Sequence, residues 1–310
     1  MTTLLQLTLA HTIITLVMPF LLVGVINRTK SWWAARKGPG LFQSYHDLRR
    51  LLRKRPVVSD TATPLFRLGP YVVLVCGLAA MAFVPLLGQF APLSFAHDFV
   101  AVAYILGLAR LVLMLSAMDV GSPFEGMGAS REAMYGAFAE PALFLLLGTV
   151  GVATGMSSFA GMLGHLHQTP SYGLIVLPLA LALLILLQTE AARVPVDDPA
   201  THLELTMIHE VMILDHSGPE LAAMQYAAGL KMTLYAGLIA TLLNPLDPWR
   251  TPLAAVAVSV ALMLGVAVVV GCFESVMARL PLPWVPRYVW LSGWLVALAA
   301  VVIGVTGVGL

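Results

Sequence analysis

Cysteine is scarce in this chain, with two among 310 residues. Cys76 and Cys272 each sit inside an apolar run with no Cys or His at metal-ligand spacing. A cysteine-ligated iron-sulfur cluster takes about four thiolates, so the sequence predicts no cluster and no metal site of its own. Charge is scarce as well: Asp, Glu, Lys and Arg make up 11%, against about a quarter in soluble domains. That excludes an ordinary soluble protein, while a net charge of +1 by itself says nothing about partners. No basic residue precedes the first apolar run, which is also too long for the core of a cleavable signal, so it is expected to persist as a first span. Low-complexity segments are missing too. The Gly and Pro interruptions do not fall at matching places in two halves, which counts against an inverted-repeat transporter.

What is present is apolar: 59% hydrophobic residues and a mean hydropathy of +0.88. A membrane span takes roughly 20 apolar residues. Eight stretches qualify, near 4–26, 69–87, 99–117, 136–156, 172–192, 223–243, 252–273 and 288–308. The predicted fold class is therefore an all-α integral membrane protein, a single transmembrane domain over 1–310. An even number of spans puts both termini on one side. Ten of the 17 Lys and Arg fall between Arg28 and Arg67, against only Asp47 and Asp60. Placing that basic loop, 27–68, in the cytoplasm brings Arg131, Arg193, Arg279 and Arg287 there too, fourteen of 17 in all, so both termini are expected on the outer, periplasmic side.

Within 27–68, Pro39 and Gly40 are expected to open a helix that Pro56 stops. Leu41, Phe42, Tyr45, Leu48 and Leu52 share one face; Arg49, Arg50, Arg53 and Lys54 share the other. Such an amphipathic helix lies in the interface plane of the bilayer. It serves as a lipid anchor, as a docking shelf for a soluble subunit, or as both.

Ionisable residues inside spans are costly and functional by default. Glu140 lies two helical turns beyond Arg131 and Glu132, and is read as functional or as the ion-pair partner of Arg110 or Arg131. Lys231, inside the sixth span, wants a carboxylate, with Glu140 and Glu190 as candidates. Between the fifth and sixth spans, Thr189 to Pro219 holds six of the 16 acidic residues: Glu190, Asp197, Asp198, Glu204, Glu210 and Asp215. Arg193 follows Glu190 at helical spacing, which suggests a local pair. Asp197 or Asp198 suits the cap of a following helix, on which His202, Thr206, His209 and Ile213 form a stripe. Glu274 is expected to pair with Arg279. His209-Glu210 starts like a zincin motif, but Ile213 stands where the second His belongs. The acidic segment, 193–222, is either a solvated cytoplasmic loop or a set of carboxylates and imidazoles that relays protons, since crowded carboxylates and histidine both titrate near neutral pH.

These residues also carry a resemblance. Arg36-Lys37-Gly38-Pro39-Gly40-Leu41-Phe42-Gln43 with Asp47, then Gly121-Ser122 through Arg131-Glu132 to Glu140, then Glu190-x-x-Arg193-x-Pro195-x-Asp197 resembles the complex I membrane subunit that bears the quinone tunnel. The likeness is stronger to its relatives in energy-converting NiFe-hydrogenases, formate hydrogenlyase subunit 4 and hydrogenase-4 component C. It covers nearly the whole chain. Ala200, Thr201 and His202 stand where the complex I subunit is densely acidic, Val196 replaces Phe, and the loop is longer around 209–211, departures that favour the hydrogenase-4 branch.

The resemblance implies an anchoring and ion-coupling subunit in a bacterial or archaeal cytoplasmic membrane. Its proton or sodium path would use Glu140, Glu190, Asp197, Asp198, Glu204, Glu210, Asp215 and Lys231. The docked arm would contact Arg36, Gly38, Pro39, Gln43, Arg49, Arg50, Arg53, Arg131 and Glu132. The implied partners are the hydrogenase large and small subunits, an iron-sulfur subunit, antiporter-like membrane subunits and the lipid bilayer. The NiFe centre and iron-sulfur clusters would lie in those partners and none in this chain. Two other classes stay open, a quinone-site subunit of a complex I type NADH dehydrogenase and a stand-alone transporter.

Overall fold

A computed structural model describes residues 2–59, 61–198 and 207–306. Among them every regular element is helical: α1 Thr2–Trp33, α2 Gln43–Leu51, α3 Pro64–Phe83, α4 Asp98–Asp119, α5 Pro123–Thr154, α6 Phe159–His165, α7 Tyr172–Glu190, α8 His209–Met212, α9 Gly218–Leu243, α10 Pro252–Val276 and α11 Val285–Thr306. Eight are long and apolar enough to cross a membrane, namely α1, α3, α4, α5, α7, α9, α10 and α11. The eight stretches found in the sequence fall on these eight helices.

The helices start and stop where local chemistry directs. Proline opens α3, α5, α9 and α10 at their first turns, where its missing N–H costs nothing. Thr63 caps α3 by accepting from the Leu65 N–H at 3.2 Å, and Asp119 at the far end of α4 takes the Thr63 N–H at 2.7 Å, tying the two helices together. At the end of α5, Gly155 takes the left-handed conformation at φ +66°.

At the centre stands α9. It has the lowest mean hydropathy of the eight, 1.3, yet 78% of its apolar window is buried, against 28% for α4 and α11. A helix surrounded by protein need not satisfy lipid, so the least apolar span takes the middle. It packs on α1, α3, α7 and α10, while α5 and α11 close the side around α7.

The amphipathic helix exists but starts later than Pro39: residues 37–40 are not helical and α2 begins at Gln43. The reason lies in α1. Gly24 has no side chain, and the Leu41 carbonyl occupies the space that a Cβ there would fill. The chain through 38–42 is thus laid against α1 before turning helical. No residue of α2 is buried, and Tyr45 meets Phe20 of α1 edge to face at 5.6 Å. Segments 27–68 and 193–222 share one end of the bundle, for the Val57 N–H donates to Ser217 Oγ at 2.7 Å.

Candidate functional site

The ionisable residues inside the spans converge on Arg110, which lies near the middle of α4 with its side chain 9% exposed. Its Nε donates to Glu132 Oε1 at 3.1 Å, and its two terminal nitrogens bond Glu140 and Glu190. Lys231 of α9 reaches the other Glu190 oxygen at 3.2 Å. Four helices, α4, α5, α7 and α9, thus contribute two cations and three carboxylates to one network. Gly136 makes the room: a Cβ there would stand 2.5 Å from an Arg110 nitrogen. The guanidinium can serve three carboxylates because its five N–H donors fork in a plane.

The network is lopsided in exposure. The Glu190 side chain is 5% exposed and that of Glu140 is 49% exposed, on the flank of α5. A cavity of about 30 Å³ touches Arg110, Glu190 and Lys231 and continues to Leu113, Met224 and His209. That is close to the volume one water occupies in the liquid, ~30 Å³. A larger cavity of about 440 Å³ lies between α1, α2 and α9, bounded by Phe20, Leu48, Arg193, His209, Glu210 and Tyr226.

The described part of the acidic segment is largely folded into the protein. Arg193 to Asp197 and Met207, Ile208, Val211, Met212 and Ile213 are buried. Irregular backbone at such depth needs protein around it and its polar groups bonded, and Asp197 supplies much of this. Its Oδ2 accepts the N–H groups of Ile208 and His209, both at 3.0 Å, and its Oδ1 meets Arg279 at 3.2 Å. Asp197 thus fixes the backbone that leads into α8, while the helix expected directly after Asp198 lies outside the described residues. The Val194–Pro195 peptide bond is cis, and the Pro195 carbonyl accepts the Leu280 N–H at 2.9 Å.

Two pairings expected from spacing are replaced. Arg193 does not pair with Glu190, because the helix ends there and Ala192 turns the chain at φ +48°. Arg193 instead meets Glu274 at 2.7 Å, and Lys30 reaches the same buried carboxylate at 2.9 Å. Glu274 in turn does not pair with Arg279, which Asp197 holds. In both cases the partner comes from another element and not from the sequence neighbour.

The remaining candidates fall in several places. Asp198 is half-buried, Glu210 borders the larger cavity, and Glu204 lies outside the described residues, as do His202 and Thr206 of the expected stripe. Asp215 is exposed, its N–H donating to Glu125 at 3.2 Å. Of the docking set, Arg36, Pro39, Gln43, Arg49, Arg50 and Arg53 are exposed and Gly38 is partly so. Arg131 donates to the Met207 carbonyl at 2.6 Å and so braces the acidic segment. Glu132, placed with the docking set by sequence, belongs to the Arg110 network. The hub, Arg110, was visible in the sequence as a lone cation inside a span. Lys30 and Glu274 gave no such signal, since each lies at a span end where charge is ordinary.

Comparison with known proteins agrees with this architecture. The chain matches the family described as NADH dehydrogenase over residues 5–305. It is 31% identical over 277 residues to formate hydrogenlyase subunit 4 of Escherichia coli (strain K12), covering 87% of this chain and 89% of that one. Hydrogenase-4 component C of the same strain is 28% identical over 296 residues, with 94% and 93% covered. An NADH-quinone oxidoreductase subunit of Neorickettsia sennetsu (strain ATCC VR-367 / Miyayama) is 26% identical over 260 residues, with 79% and 76% covered. A chain of the membrane-bound sulfane sulfur reductase, an archaeal respiratory membrane complex, shares the fold with a TM-score of 0.80 at 20% identity, over 97% of this chain and 99% of that one. Matched almost from end to end, this multi-pass membrane protein belongs to the NADH dehydrogenase family, together with that NADH-quinone oxidoreductase subunit, formate hydrogenlyase subunit 4 and hydrogenase-4 component C.

Proposed function

We propose that this chain anchors the peripheral redox arm of a hydrogenase-4 or formate-hydrogenlyase-like NiFe-hydrogenase complex in a bacterial or archaeal cytoplasmic membrane, and couples electron transfer there to movement of H⁺ or Na⁺. The observation that carries this is the Arg110 network. Three carboxylates and two cations gathered inside apolar helices cost more than a scaffold requires, at least ~2.5 kcal/mol per ionised group on insertion scales. Such a set can hold an ion or pass a proton, and the half-exposed Glu140 is its exit toward a neighbouring antiporter-like membrane subunit. The basic face of α2 and the turn after it, with Arg49, Arg50 and Arg53 exposed, suits the dock for the hydrogenase large and small subunits and their iron-sulfur partner. The NiFe centre and the clusters belong to those partners.

One feature favours a second reading. The cavity of about 440 Å³ between α1, α2 and α9 has apolar walls at Pro19, Phe20, Val23, Leu48 and Met232, as a quinone-site subunit of a complex I type dehydrogenase would need.

Purification of the tagged chain with its partners in mild detergent separates the two. Nickel together with iron is the expected result; flavin and iron without nickel would transfer the assignment to the quinone-linked complex, and a chain recovered folded and alone would make it a stand-alone transporter. Coupling itself is tested with Glu140→Gln and Glu190→Gln. Each is expected to abolish ion movement in vesicles while the complex still assembles, and normal movement in both would end the coupling role.

A further inference from the structure

The proposed path has an inner cluster and an open cavity, and among the described residues one ionisable side chain borders both. His209 opens α8, its N–H fixed on Asp197 Oδ2. It is the one described residue that lines the 440 Å³ cavity, the 30 Å³ cavity and a small slit beside Glu132 and Tyr135 alike. Its Nε2 is buried and has no hydrogen-bond partner among the described residues. A buried ring nitrogen left without a hydrogen bond carries a desolvation penalty.

The charged groups around the ring divide into two sets. On the cluster side are Arg110, Glu190 and Lys231 of α4, α7 and α9, with Glu132 and Asp197 along the slit. On the cavity side are Asp47 of α2, Arg193 and Glu210. Arginine and lysine only donate, and Glu190 is already bound by Arg110 and Lys231. An imidazole in the same wall can take a proton on one ring nitrogen while giving up the proton on the other.

We propose that His209 is the proton relay between the large cavity and the Arg110–Glu190–Lys231 cluster. A proton arriving from the cavity binds one ring nitrogen, the proton on the other nitrogen leaves for water in the small cavity beside Lys231, and the ring ends neutral as it began; no electrons move. The proposal rests on the coupling reading above, and adds to it the point at which protons enter the cluster.

The test is chemical rescue in the purified complex reconstituted in liposomes. His209→Ala is expected to lower coupled proton movement at least about tenfold, since a positioned acid-base group contributes on that scale or more, and added imidazole is expected to restore it through the cavity. Pyrazole, of the same shape but too weak a base to hold a proton near neutral pH, is expected to restore nothing. Equal rescue by both molecules, or by neither, would make His209 structural and overturn the relay. Where His209→Ala does not assemble, His209→Gln keeps the volume, and an unchanged rate and pH profile in it would overturn the relay equally. Glu190→Gln measured alongside keeps the two ideas apart: loss of movement there with wild-type behaviour in the His209 variants removes only the relay, whereas normal movement in Glu190→Gln removes the coupling reading itself.

Discussion

Burial treats ionisable groups differently according to what arrives with them. Arg110 and Glu190 are buried together and answer each other, as do Arg193, Lys30 and Glu274. His216 is buried against carbon: 3% exposed, its ring is stacked on Phe66 at 3.9 Å between centroids, with Ser116 Oγ at 3.4 Å and Glu220 at 3.7 Å. Desolvation pushes its pKa down from 6.5 to about 4. The fold therefore holds His216 neutral, and the unfolded chain binds the extra proton between those two values. The resulting stability is present above about pH 6.5 and is lost as pH falls through about 4, a change on the order of 3 kcal/mol. Thermal unfolding of the solubilised protein should accordingly fall across that window, and His216→Phe, which keeps a flat ring on Phe66, should fall less. Equal acid sensitivity in the two would show that His216 is not the group responsible. At this scale Glu140, Glu190 and Lys231 were legible in the sequence because an ionisable residue in an apolar run stands out. The partners of Arg193 and Glu274 were not, because 81 positions separate them and nothing local announces a contact across that distance.

At the scale of elements, α2 was readable from the spacing of its apolar and basic residues, while its start was set by contact. Pro39 suits the first turn of a helix, yet the Leu41 carbonyl pressed against Gly24 holds that stretch extended. Arg49 of α2 and Arg53 just beyond it are exposed and can face a partner, and Arg50 is exposed but also pairs with Asp47. Reversal of Arg49, Arg50 and Arg53 to Glu is expected to release the peripheral arm from membranes, with the chain itself still inserted. Retention of the arm in a membrane fraction would leave lipid anchorage as the helix's role. The end of α7 shows the opposite case. Nothing in the pattern around Glu190 foretells that the next residues fold inward, since the buried Val194 and Val196 read equally as loop or span.

For the whole molecule, the eight-span reading predicts the ends of the chain on one side and successive connections on alternate sides. The basic connection 27–68 and the connection holding Arg250 then lie across the membrane from each other. Single cysteines at Arg36 and Arg250, in a chain whose Cys76 and Cys272 are replaced, should label from opposite faces of sealed vesicles, with position 36 on the cytoplasmic one. Labelling from the same face would break the eight-span topology. The exposed half of Glu140 bears on assembly in the same way: a charged flank on a span is stable only when something polar covers it, so this protein is built to be one of several.

By itself, the sequence determined that the protein is helical and membrane-embedded, how many spans it has, which end is basic, and which carboxylates lie where carboxylates are costly. These follow from composition and from helix length against bilayer thickness, both local properties of the chain. Only the tertiary structure decided that Arg110 joins Glu132, Glu140 and Glu190, that Asp197 braces a buried segment rather than facing water, and that His209 stands between two cavities. Those outcomes depend on which groups from distant helices reach a desolvated charge with the best geometry, and that competition is settled by packing.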